Sequence, residues 1–195
     1  MTRTISQNGI DMIKSFEGLR LKAYKAVKTE KYYTIGYGHY GITNPNMTIS
    51  ASYAEALLKE DLKKFETHVN LIDEMGHYNF SQNEFDALVS FAYNIGSISQ
   101  LTNHAQRSRD EIRKHMVEYV KSGGWVISGL KTRRKKELEL FNTPDAETVT
   151  TEYTEDTTIR EIVDDVIDGK FGNNDARRNN IYNVIQSFVN ARLAK

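Results

Sequence analysis

The stretch Phe16-Glu17-Gly18-Leu19-Arg20-Leu21-Lys22-Ala23-Tyr24, with Tyr32-Tyr33-Thr34-Ile35-Gly36-Tyr37-Gly38-His39 beyond it, changes period in mid-course. Up to Glu17 the apolar residues Ile10, Ile13 and Phe16 recur at helical spacing, which predicts a helix. Ser6 or Asn8 can cap it, and Gly18 ends it. From Tyr32 onward, aromatic and small residues alternate at period two, as in a strand. A helix that delivers an acidic residue to the edge of a small sheet places Glu17 where chemistry is possible. Taken alone, Glu17 reads as a surface carboxylate at a helix end. Set against apolar neighbours such as Phe16, a carboxyl holds its proton toward neutrality and can serve as a general acid.

Downstream the pattern is helical. Ser52 with Glu55 reads as a capping box ahead of Ala54, Leu57, Leu58, Leu62, Phe65 and Val69, a long amphipathic helix. Ser81 with Glu84 repeats the device before Phe85, Leu88, Val89, Ala92 and Ile95. That segment is apolar on almost every side, which predicts a buried central helix. Ile112, Met116, Tyr119 and Val120 suggest a further helix ended by Gly123-Gly124, and Leu130, Leu138 and Phe141 a last one. A helix, a small sheet and then a helical lobe is an α+β arrangement, with the site expected in the cleft between lobes.

Composition removes several alternatives. The 195 residues carry 26 Lys and Arg, 26 Asp and Glu, and no cysteine. Disulfides, thiolate-bound zinc and thiol catalysis are thereby excluded. No run approaches the ~20 apolar residues of a membrane span. The N-terminus lacks the apolar stretch of a secretory signal, so no signal peptide and no membrane insertion are expected. Lys131, Arg133, Arg134, Lys135 and Lys136 read as the solvated basic face of a helix, not as a nucleic-acid patch. Nothing in the sequence calls for a metal or a cofactor.

The motif around Glu17 closely resembles the phage-type lysozymes, glycoside hydrolase family 24. Gln82-Asn83-Glu84-Phe85-Asp86-Ala87-Leu88-Val89-Ser90-Phe91-Ala92-Tyr93-Asn94-Ile95-Gly96 resembles the central helix of that family. Gly129-Leu130, Arg133-Arg134, Glu137 and Leu140-Phe141 resemble its closing helix. The likeness runs over residues 5–142 and implies a lysozyme-like fold with a small β-sheet lobe and a helical lobe. It implies cleavage of the β-1,4 bond between N-acetylmuramic acid and N-acetylglucosamine in peptidoglycan. Glu17 would be the proton donor, and Thr34 the hydroxyl that helps hold the attacking water. Tyr40 and Tyr93 match positions lining the sugar cleft, and a buried tyrosine fits either of them equally well. Arg133 matches an arginine that approaches the catalytic glutamate, and His39 a structural histidine with a carboxylate partner. Gly36 and Gly38 fit either close substrate approach or strand curvature.

One departure stands out. Where the family carries an aspartate, nine residues after the glutamate, this chain has Ala26. The interval from Glu17 to Thr34 is also two residues longer than usual for the family. Counting back from Thr34 puts Lys28 in the aspartate slot. The nearest carboxylate is Glu30, within Lys25-Ala26-Val27-Lys28-Thr29-Glu30-Lys31. Four readings stay open here. Glu30 supplies the missing group; Thr34 and the N-acetyl group of the substrate suffice; the protein binds peptidoglycan with little or no activity; or it is a lytic transglycosylase giving anhydro products.

The zero net charge divides unevenly. Residues 1–142 hold 20 Lys and Arg against 16 Asp and Glu, and residues 143–158 hold five acids and no base. The organisation expected is a catalytic domain over 1–142, an acidic, threonine-rich linker over 143–157 and a helical module over 158–195. In the last, Val166-Ile167, Gly169-Lys170-Phe171-Gly172-Asn173, Arg177-Arg178 and Tyr182 resemble the short cell-wall-binding repeats of some Gram-positive phage lysozymes. That likeness implies a small three-helix bundle, with Lys170, Asn173, Arg177 and Arg178 as wall contacts. The partner implied is bacterial peptidoglycan of the Gram-positive type. The implied setting is the host cytoplasm until lysis, then the wall.

Overall fold

The computed structural model describes residues 2–145. The linker beyond them and the module with Lys170, Asn173, Arg177 and Arg178 lie outside the described residues. Helix α1 spans Gln7–Glu17 and runs into a three-stranded antiparallel sheet of β1 (Arg20–Tyr24), β2 (Tyr33–Gly36) and β3 (His39–Ile42), in that order. The long α2 (Ala51–Gly76) leads to α3 (Gln82–Ile95) and α4 (Arg109–Met116). A short hairpin of β4 (Lys121–Ser122) and β5 (Trp125–Val126) precedes α5 (Ser128–Asn142). The α+β architecture is as expected. No helix among the described residues is long and apolar enough to cross a membrane.

Of the two cap positions open to α1, Ser6 is the one used: its Oγ accepts from Gly9 N. Gly18 ends the helix at φ 71°, a conformation that favours glycine. Ser6 N also donates to Asp86 Oδ1 at 3.0 Å, and Ser6 Oγ donates to Asp86 Oδ2, so the cap is bolted to α3. Gly9 lets the two helices close up, since a Cβ there would lie 2.9 Å from Asp86 Cβ.

The long helix starts two residues earlier than the Ser52 reading places it. Ser50 is the N-cap and accepts from Tyr53 N, while Ser52 only bonds to the Ser50 hydroxyl. The cause lies in the sheet. Ile49 N donates to Leu21 O at 2.9 Å, which holds the chain on β1 up to residue 49 and releases it at Ser50. Glu55 is then free of capping and pairs with Lys14 of α1 at 2.7 Å and with Lys59 at 2.9 Å. At 26 residues, α2 is about 39 Å long and can run from the sheet to the far side of the helical lobe.

Helix α3 is the buried centre. Ser81 and Glu84 form the expected capping box, and every residue from Glu84 to Ala92 is buried. Phe80, Phe85, Phe91, Ile98, Leu101, Met116 and Phe141 complete the core around it. The helix expected to end at Gly123-Gly124 ends instead at Met116. Ser108 and Glu111 start it with a capping box, and beyond Met116 the chain turns toward the hairpin, where Ile127 N donates to Val120 O at 2.9 Å. The glycine pair has φ values of 55° and 85° and makes the two-residue turn of the β4–β5 hairpin.

Candidate active site

Glu17 is the last residue of α1, with a quarter of its side-chain surface exposed. Its Oε1 lies 2.6 Å from Arg133 Nη1 of α5. Phe16, expected to desolvate Glu17, lies under cations instead. The Arg133 guanidinium is 4.8 Å above its ring, and Lys136 Nζ is 5.5 Å away. The closing helix is thus clamped onto both residues that end α1.

The basic run of α5 is not a solvated face. Arg133 and Arg134 are 4% and 1% exposed, and the lysines around them face outward. Both guanidiniums converge on Glu137, which is fully buried. Arg133 Nε donates to Glu137 Oε1 at 3.0 Å, Arg134 Nη2 donates to the same oxygen at 3.0 Å, and Ser90 Oγ adds a third bond at 2.8 Å. Arg134 Nε lies 2.7 Å from Glu137 Oε2, an ion pair without the alignment of a hydrogen bond. Burial pushes the Glu137 carboxyl up from its ordinary value, and the Arg134 and Arg133 charges oppose that shift. Arg133 Nη2 donates to Ser90 O at 3.0 Å, so each nitrogen of this guanidinium has its own acceptor. The fixed fork of arginine suits that task, and lysine does not.

Across from Glu17 stands the sheet. The register pairs Arg20 with Gly36, and Thr34 with Tyr24 on one side and Tyr40 on the other. Thr34 is 8% exposed, and its hydroxyl makes no protein hydrogen bond among the described residues, which leaves it available to water. Tyr40 is 52% exposed beside it, its ring edge-on to Tyr32. An exposed aromatic face of this kind is a floor for a sugar ring.

Tyr93 is committed differently. Its hydroxyl donates to Tyr37 O at 2.8 Å and its ring packs edge-on against Phe65. Burial, and then the nearby Glu17 carboxylate, push the Tyr93 hydroxyl well above its ordinary value. It pins the β2–β3 turn next to Glu17 and presents no free polar tip. Gly36, at φ 67°, lies against Ala54 of α2, where a Cβ would come within 3.3 Å. Gly38, at φ 102°, faces the Tyr93 hydroxyl. Both glycines answer to backbone conformation and packing. His39 Nδ1 is 2.9 Å from Asp61 Oδ2 and ties β3 to α2, the structural part expected of it.

A separate hollow of about 640 Å³ opens between the end of α2 and the start of α4 and shares no residue with this site. Its arginines are engaged. Arg109 bonds to Glu84 and the carbonyls of Tyr78 and Asn79, and Arg107 to the carbonyls of Gln100 and Leu101. The surroundings of Glu17 are the better candidate, because Glu17 lies against Arg133 and beside Tyr93, whose hydroxyl is bonded to the β2–β3 turn.

Residues 14–137 match the Phage lysozyme family. The chain belongs to that family. It is 48% identical over 158 residues to the endolysin of Bacillus phage B103, covering 76% of this chain and 57% of that one. It is 42% identical over 140 residues to the endolysin of Lactococcus phage c2, covering 72% and 61%. The chain therefore spans little more than half the length of these phage lysozyme relatives. Among solved structures, the muramidase domain of SpmX from Asticaccaulis excentricus superposes with a TM-score of 0.63 at 34% identity. That match covers 73% of this chain and 99% of the other.

Proposed function

We propose that the protein is an endolysin muramidase that hydrolyses the β-1,4 bond between N-acetylmuramic acid and N-acetylglucosamine in peptidoglycan. The observation that carries this reading is Glu17, held by Arg133 at the end of α1 in a chain of the Phage lysozyme family whose sheet pairs Thr34 with Tyr40. Glu17 donates its proton to the glycosidic oxygen as the bond to the anomeric carbon breaks. The carboxylate left behind then faces the Arg133 guanidinium, a preorganised cation where negative charge develops. Thr34 holds the attacking water on the opposite face of the ring, the arrangement of an inverting glycosidase. Tyr40 supports a sugar ring.

Clearance of purified walls tests this directly. Glu17→Gln is expected to abolish it, and a variant as active as the parent would refute the reading. Fragment masses separate hydrolysis from the transglycosylase alternative raised by Ala26: reducing ends mark the first, anhydromuramic ends the second.

The wall is proposed to be Gram-positive, which the Bacillus and Lactococcus phage relatives support. Residues 158–195 are proposed as a wall-binding module acting through Lys170, Asn173, Arg177 and Arg178. Residues 143–157 would tether it and raise its local concentration at the wall. Residues 1–143 alone should cut soluble fragments as the full chain does but bind whole walls less. Equal wall binding by the shortened chain would remove the targeting role.

A further inference from the structure

Inverting hydrolysis needs a second group, which takes a proton from the attacking water on the face opposite the acid. A threonine hydroxyl can orient that water but is too weak a base to deprotonate it. Between Glu17 and Glu55 the sequence holds a single carboxylate, Glu30. It sits in the loop that joins β1 to β2, the strand that carries Thr34.

The loop gives Glu30 a defined place. Glu30 N donates to Val27 O at 3.0 Å, closing a turn. Its Oε2 then reaches back to accept from Ala26 N, also at 3.0 Å. Tyr24 and Thr34 are cross-strand partners, so this loop leaves the sheet at the end of the ladder where Thr34 lies. The carboxylate is therefore held by one oxygen at the end of β1, two residues past the partner of the water-handling threonine. Glu30 is half-buried, and its Oε1 has no protein hydrogen bond among the described residues. The other charged groups of the loop are Lys25, Lys28 and Lys31. Two of them lie over aromatic rings, Lys25 Nζ 5.0 Å from the Tyr33 centroid and Lys31 Nζ 5.0 Å from that of Tyr32.

We propose that Glu30 is the general base of this enzyme, standing in for the carboxylate that position 26 lacks. The inference rests on the muramidase reading above. In the step it performs, one O–H bond of the water breaks and its proton passes to Glu30 Oε1. The water oxygen bonds to the anomeric carbon, the glycosidic C–O bond breaks, and the leaving oxygen takes the Glu17 proton. Glu30 then returns its proton to solvent, and Glu17 is reprotonated from it.

The test uses the full chain on purified peptidoglycan, with kcat, KM, fragment masses and a pH–rate profile for each variant. Glu30→Gln keeps an oxygen for the Ala26 N–H, so the loop and the Tm should hold. Its kcat is expected to fall about 100-fold or more, with KM little changed. The acid limb of the profile, which reports ionisation of the base, should disappear. Adding Ala26→Asp to Glu30→Gln should restore at least about tenfold of the lost kcat by returning a carboxylate to the β1 end. Glu30→Gln within about threefold of the parent would overturn the proposal, as would a loss of kcat that leaves the acid limb in place. Anhydromuramic ends from the parent enzyme would overturn it too, since no water then attacks. Failure of the underlying reading looks different: Glu17→Gln would be as active as the parent.

Discussion

Arg133 Nη1 lies 2.6 Å from Glu17 Oε1, while Nε of the same guanidinium lies 3.0 Å from the fully buried Glu137 Oε1. One side chain thus joins the acid of the cleft to the ionic centre of the helical core. Chemistry at the surface and packing inside share a residue, so several single changes should move both.

Arg133→Met removes the cation from both carboxylates. Leaving a buried charge short of a partner costs about 3–5 kcal/mol, so the Tm should fall measurably. The rate should fall by about 10–1000-fold, because a donor at the reacting group is lost with it. Arg133→Lys should keep charge but lose the fork, landing between parent and Met in both. Thermal melts and wall-clearance rates on the three proteins check the order.

Glu137→Gln separates core from cleft. It leaves the Arg133–Glu17 contact possible but strips Arg134, itself 1% exposed, of its counter-charge. The loss expected is about 3–5 kcal/mol of stability, read by urea unfolding. The surviving folded protein should keep the greater part of its activity.

The Lys14–Glu55 pair gives a pH prediction. Bonds from Lys14 and Lys59 hold the Glu55 carboxyl down at about 2, against an ordinary 4.5. A depressed carboxyl stabilises the fold above its unfolded value, and that contribution fades as pH falls from about 4.5 toward 2. Glu55→Gln should therefore melt below the parent at pH 6, by about 0.2–1 kcal/mol. The two curves should converge as the pH approaches 2. A gap that does not narrow on acidification would contradict the linkage.

Two glycines should respond in opposite directions. At Gly9 a Cβ meets Ile5 at 2.7 Å and Asp86 at 2.9 Å, so Gly9→Ala should cost about 1–3 kcal/mol through overpacking. Gly129 is helical and nothing lies within 4 Å of its would-be Cβ. Gly129→Ala should gain about 0.4–1 kcal/mol. Chemical denaturation of both variants decides.

How much of this was legible beforehand follows from where the physics acts. Ser81 and Glu84 cap α3 as read, because a capping box is a local device with both partners three residues apart. Ser52 and Glu55 carry the same pattern and do not use it. There the start of α2 is set by Ile49 on Leu21, a bond between segments that no local pattern contains. Gly123-Gly124 signals a stop equally well for a helix or a hairpin, and only strand pairing chose the latter. Glu17, Thr34 and Tyr40 could be singled out from sequence because they lie in one short stretch that runs from the end of α1 through the sheet. Arg134 was misread as solvated because its partners, Asn94 and Glu137, come together only after α3 and α5 pack. The hold of Ala26 N on Glu30 was not visible either, since loop closure makes it.

Glu17 and Arg133 are 116 residues apart in the chain, and α5, which brings the second to the first, is the last helix of this unit. A ribosome translating the message delivers the acid early and its guanidinium only near the end. Until α5 has emerged and docked, the nascent polypeptide holds a Glu17 with no Arg133 against it, and Ser90 still lacks Glu137. The order of synthesis thus acts as a timer, and the Glu17–Arg133 contact is assembled only in a chain that has been made through α5.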